Sequence, residues 1–178
     1  MPYLQRATNN PFGLMPYDQV LRIGTYGKAS GTAAIFRGDI VQVNSSGQVA
    51  VITVPQALNV LGVAAAFFAS GSAQTAVPVY DHPDQLYVCN DDSVGSQLAE
   101  TQIGNTCDVT GLSSTSLLNQ SVMQLDSSTA GVDSAPMLKI IGMHPVEGGV
   151  FPTATGQSRK WIVMINSNHH AYATASGV

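Results

Sequence analysis

Four histidines, two cysteines, eleven carboxylates and one Gly-Lys pair are the side chains of this 178-residue chain best suited to chemistry, and their spacing decides which kinds of chemistry remain open. The run Gly24-Thr25-Tyr26-Gly27-Lys28-Ala29-Ser30 superficially matches a phosphate-binding loop, in which backbone amides cradle an anion and a lysine neutralises it. That motif needs an earlier glycine where Arg22 stands and a hydroxyl where Ala29 stands, so a Gly-rich turn is expected instead. Arg37-Gly38-Asp39 spells an integrin-type tripeptide, but it directly precedes the apolar run Ile40-Val41, where Gly-Asp is an ordinary turn.

None of His82, His144, His169 and His170 has a second ligand-type residue at zinc-motif spacing. Adjacent His169 and His170 would point to opposite faces of a strand, which disfavours shared ligation. Asp81, Asp84, Asp91 and Asp92 lack the Asp-x-Asp-x-Asp-Gly spacing of a calcium loop and read as solvated turn residues. Serines are plentiful, yet no Gly-x-Ser-x-Gly elbow is present. A pairing of Cys89 or Cys107 with a distant histidine stays open, because such partners meet only in the fold. Glu100 and Glu147 are the only glutamates available for general acid/base work. The expectation is a protein that is not an enzyme and uses neither metal nor cofactor. The two cysteines are expected to stay reduced as small buried hydrophobes, with a disulfide as the alternative.

The elements that would position any of these groups are shaped by an unusual composition. Hydrophobic residues make up 44% of the chain, an ordinary share, but charged residues only 10%, against about 25% in average proteins. Ser, Thr, Asn, Gln and Gly supply the polar surface. Charge is depleted where surfaces are permanently covered, since a buried ion must be paired or desolvated, so the composition hints at multimerisation. Net charge is −4 and the seven basic residues are scattered apart from Arg159-Lys160, which argues against nucleic-acid binding. Met1–Met15 lacks a basic segment followed by an apolar run, and Ala57–Ala69 is shorter than the ~20 residues a bilayer requires. No membrane partner is expected, and synthesis in the cytosol is.

Short β-branched and aromatic runs separated by Gly, Asn, Ser and Pro clusters indicate an all-β fold, a short-stranded barrel or sandwich. The clearest pair is Ile40–Val43 with Gln48–Ile52 around the turn Asn44-Ser45-Ser46-Gly47. Further strands are expected at Val60–Ala65, Ala76–Tyr80, Leu86–Cys89, Thr106–Thr110, Val122–Leu125, Leu138–Met143 and Trp161–Ile165. One helical turn is expected over Ser93–Gln102, weakened by Gly95. The turn-rich Asp81-His82-Pro83-Asp84 divides the chain into a first β unit over 20–83 and a second over 84–178, or marks a corner within one continuous domain. Residues 1–19 read as an extended N-terminal arm, because Pro2, Pro11 and Pro16 forbid a continuous helix. Its apolar residues Tyr3, Leu4, Phe12, Leu14 and Met15 are the candidate contacts with another subunit or a capsid; the alternative is an arm folded back on its own domain.

Phe36-Arg37-Gly38-Asp39-Ile40-Val41, Leu61-Gly62-Val63-Ala64 and Val77-Pro78-Val79-Tyr80 resemble the strand series of phage head decoration, or cement, proteins. Gln124-Leu125-Asp126-Ser127-Ser128, Leu138-Lys139-Ile140-Ile141-Gly142 and Trp161–Asn166 are similar to the longer cement proteins of tailed phages. The resemblance covers most of Val20–His170. It implies a structural virion protein, made in the host cytoplasm, that binds the outside of an icosahedral shell as a homotrimer and clamps adjacent copies of the major capsid protein. It implies no cofactor and no catalysis. The competing expectation is a phage fibre or receptor-binding module in which Tyr87, Trp161 or Tyr172 stacks on glycans. A small hydrolase built on His144, His169 or a cysteine is the third.

Overall fold

The computed structural model describes residues 12–71, 76–92, 98–112, 119–133, 135–145 and 159–172. The described residues are all-β. The strands of the first half are β1 (Met15–Pro16), β2 (Ile23–Lys28), β3 (Ile40–Val43), β4 (Gln48–Val51), β5 (Val60–Ala64) and β6 (Val77–Tyr80). Those of the second half are β7 (Leu86–Asn90), β8 (Thr106–Cys107), β9 (Val109–Thr110), β10 (Gln124–Leu125), β11 (Leu138–Met143) and β12 (Lys160–Ile165). Strands β2-β4-β3-β5-β6 close into a barrel, β1-β7-β12-β11-β8 form a five-stranded sheet, and β9 pairs with β10. The expected helical turn is a single 3-10 turn over Glu100–Gln102; residues 93–97 of that segment lie outside the described residues.

The barrel follows from local chemistry. The β3–β4 hairpin turns where the Asn44 side-chain oxygen accepts from the amides of Ser46 and Gln48, both at 2.9 Å, and Gly47 adopts φ 71°. That left-handed conformation favours glycine. Val41, Val49, Leu61, Val77 and Val79 pack in the barrel's interior with Ile35 and Ala64. In β6 the two valines are buried while Pro78 and Tyr80 are half-buried, as strand alternation requires. Gly62 is needed in β5 because a Cβ there would run into the Tyr80 carbonyl, at the point where β3 and β5 shift register.

A second and larger cluster joins the barrel to the sheet. Ile40, Ile52, Val60 and Val63 from the barrel pack with Tyr87, Cys89, Leu138, Ile140, Trp161 and Val163 from the sheet. The Tyr87 hydroxyl donates to the Tyr80 carbonyl at 2.9 Å, tying β7 to the end of β6. The turn at Asp81–Asp84 therefore connects two β units that share one core.

The N-terminal segment enters this core from Phe12 onward. Leu14 is fully buried and its amide donates to Gly38 O at 2.9 Å. Met15 and Pro16 pair with Val88 and Tyr87, and the Tyr17 amide donates to Leu86 O at 2.9 Å. Leu14 is thus a core residue and Met15 an edge-strand residue of its own chain. Phe12 is half-buried, with the Lys160 ammonium 5.4 Å from its ring centroid. Tyr3 and Leu4 lie outside the described residues.

Candidate functional site

A polar cluster forms at one end of the barrel, where β2 begins and β6 ends. Arg22 precedes β2, Tyr26 lies within it, Asp81 follows β6, and the C-terminal segment brings His170 and Tyr172 alongside. Asp81 is almost completely buried. One of its oxygens accepts from Arg22 Nε at 2.7 Å and the other from the Tyr26 hydroxyl. Arg22 Nη2 also donates to the Asp81 carbonyl at 3.2 Å, and its guanidinium lies 4.9 Å from the Tyr172 ring centroid. The Tyr26 and Tyr172 hydroxyls are 2.7 Å apart. Gly24 makes this packing possible, because a Cβ there would collide with the Asp81 carboxylate and the Tyr26 ring.

These contacts set the protonation states. Burial first, then hydrogen bonding to Asp81, raises the Tyr26 phenol well above its ordinary range and keeps it a donor. The hydrogen bond to Asp81 raises Arg22 further. His170 is fully buried; its Nδ1 accepts from the Tyr172 amide at 3.2 Å, which places the proton on Nε2, and Nε2 finds no partner among the described residues. Burial lowers the His170 pKa, with Asp81 and Asp84 opposing that shift and Arg22 and His82 adding to it. Both Asp81 oxygens are engaged and the Tyr26 phenol is held protonated. The cluster pins the C-terminal segment to the barrel and leaves two exposed surfaces, the Tyr172 ring and the outer half of Arg22.

No family model, curated protein or solved structure matches this chain.

The other sequence candidates occupy structural positions. Gly24, Gly27 and Lys28 are strand residues of β2, and Lys28 is buried with Nζ donating to Thr32 O at 3.3 Å. In the Arg37-Gly38-Asp39 tripeptide, Asp39 is buried and accepts from the Phe36 amide at 2.8 Å within a turn where Gly38 takes φ 92°. Its carboxylate therefore faces inward, and burial raises its pKa. Asp91, also buried, accepts from the Arg159 amide at 2.8 Å and from the Trp161 indole at 3.3 Å. The His169 ring is bracketed by the carbonyls of Ala57 and Ala135 at 2.9 and 2.7 Å, so both nitrogens serve to join loops. His144 packs edge-on against Tyr17.

Cys89 and Cys107 are free, buried thiols. Burial foremost pushes Cys107 up to about 12 and Cys89 higher still, which removes the thiolate a nucleophile needs. Among the described residues no three His, Cys, Asp or Glu side chains converge to hold a metal ion. Of the aromatics considered for glycan stacking, Trp161 and Tyr87 are core residues and Tyr172 alone is exposed. The Asp81 cluster was invisible as a unit in the sequence, because Arg22 and Asp81 are brought together by β2–β6 pairing and Tyr172 arrives from the far end of the chain.

Proposed function

We propose that this chain is a structural virion protein that binds the outer surface of an icosahedral phage capsid and stabilises adjacent capsomers. The observation that carries the reading is an all-β body whose surface combines very little charge with large exposed apolar side chains, Val20, Leu21, Ile23, Val54 and Leu58 among them. Such a surface suits many modest contacts repeated around a shell, where multivalency supplies the total affinity. Asp81, Asp91 and His169 hold loops and termini together, which fits a structural role. Purified protein added to undecorated capsids of its phage should co-sediment with them and raise their resistance to heat; a protein that never binds such capsids would overturn the proposal.

One observation favours the fibre or receptor-binding reading as an alternative. Tyr172 is 52% exposed, and the Arg22 guanidinium packed against its ring limits the ring's freedom. A preordered aromatic ring is a stacking platform for a sugar. Strong, specific hits on a glycan array that Tyr172→Ala abolishes would select that reading over capsid cementing.

A further inference from the structure

The barrel is closed by only a short parallel contact. Strand β4 pairs with β2 at Gly27 and Lys28, whereas β6 pairs with β2 over Ile23–Tyr26. Among the described residues, nothing pairs with the other edge of β2 from Ile23 to Thr25. The direction of the backbone groups there follows from two bonds at either end. The Ala29 amide donates to Val49 O at 3.0 Å, so the odd-numbered residues of β2 face the β4 side. Thr25 lies opposite Pro78, whose carbonyl accepts from Ala65 on the β5 side at 2.9 Å, so Thr25 is turned away from β6. The N–H and C=O groups of Ile23 and Thr25 therefore project from an open edge.

Open edges are usually blunted by lysine, proline or a bulge, and this one has none of them between Ile23 and Tyr26. It continues an exposed apolar run, Val20 at 41%, Leu21 at 46% and Ile23 at 52% exposure. The neighbouring charge, Arg22, is neutralised by Asp81 within the chain. We infer that this edge is a self-association surface: β2 pairs antiparallel with β2 of a second copy across a two-fold axis, Ile23 of each copy against Thr25 of the other. That register uses all four outward groups of each strand. It sets β-branched side chains opposite one another, a favourable cross-strand pairing. Gly24 then meets Gly24 of the second copy at the axis, where neither residue brings a side chain of its own between the strands. A surface that is its own complement and carries no uncompensated charge fits a second copy of this chain better than a charged foreign strand. The inference is independent of the capsid reading.

Two substitutions test it by sedimentation velocity from low micromolar to the highest soluble concentration. Thr25→Pro removes an N–H that the barrel's own ladder does not use. Ile23→Lys places like charges near the axis at an exposed position. The wild-type protein is expected to form a dimer, and each variant to raise its dissociation constant roughly tenfold or more while keeping the wild-type circular dichroism. Should Thr25→Pro disturb the fold, Ile23→Lys alone decides. A wild-type protein that stays monomeric throughout, or a dimer or trimer that Ile23→Lys leaves unchanged, would overturn the inference.

Discussion

Replacing Asp81 by Asn tests whether the barrel-end cluster is held by its buried carboxylate or by its visible ion pair. Asp81 is 2% exposed, but the Arg22 side chain is 48% exposed, so solvent screens the Arg22 contribution to under about 1 kcal/mol. The Tyr26 hydroxyl donates to the carboxylate in a partly buried setting, where a hydrogen bond to a charged group contributes about 1.5–3 kcal/mol. Asn offers one acceptor oxygen in place of two; with that oxygen toward Arg22, its NH2 faces the Tyr26 hydroxyl, which then accepts from it, so a charge-assisted bond is replaced by a neutral one and the ion pair is lost. The expected loss is about 1–2 kcal/mol, a fall in melting temperature of roughly 3–6 °C for a chain of this size. Thermal and urea unfolding of Asp81→Asn, Tyr26→Phe, Arg22→Met and the double variants measure it. Coupling should be larger for Asp81 with Tyr26, about 1–2 kcal/mol, than for Asp81 with Arg22. If Asp81→Asn changed stability by less than about 0.5 kcal/mol, or if Arg22 coupled more strongly than Tyr26, the reasoning from burial would be refuted.

His170 supplies a pH dependence: burial holds its folded pKa below the ordinary 6.5, so the unfolded chain takes up the proton first as pH falls. Its contribution is unimpaired above that value and declines below it; urea midpoints at pH 7 and pH 5.5 should therefore differ less in His170→Gln than in the wild type. Ellman's reagent should leave Cys89 and Cys107 unlabelled in the native protein and label both in guanidinium, and rapid native labelling of either would contradict their burial. Trp161→Ala removes a fully buried ring and the indole donor to Asp91, with an expected loss of about 3–5 kcal/mol in urea unfolding. Asn44→Ala deletes an exposed turn acceptor and should cost only about 0.5–1 kcal/mol by the same measurement.

The all-β class, the β3–β4 hairpin and most strand positions were legible in the sequence, because each depends on alternation and turn chemistry within a few residues. Leu138–Met143 is a strand over its full expected span, and Trp161–Ile165 gains only Lys160. The turn at Asn44–Gly47 is determined by an Asn that can accept from two amides and a Gly that can take positive φ. The paucity of charge is likewise a property of the sequence alone.

Tertiary structure decided what distance along the chain conceals. Leu14 looked like a candidate contact for another subunit, and it is the docking of Met15–Pro16 on β7 that makes it core. Two halves separable at Asp81–Asp84 by composition share one hydrophobic cluster, because Ile40, Val60 and Val63 of the barrel strands pack against the sheet. Arg22, Tyr26, Asp81 and Tyr172 converge only after β2 pairs with β6 and the C-terminal segment returns. The open edge of β2 depends on where β4 stops pairing, and residue types alone do not encode where a neighbouring strand ends.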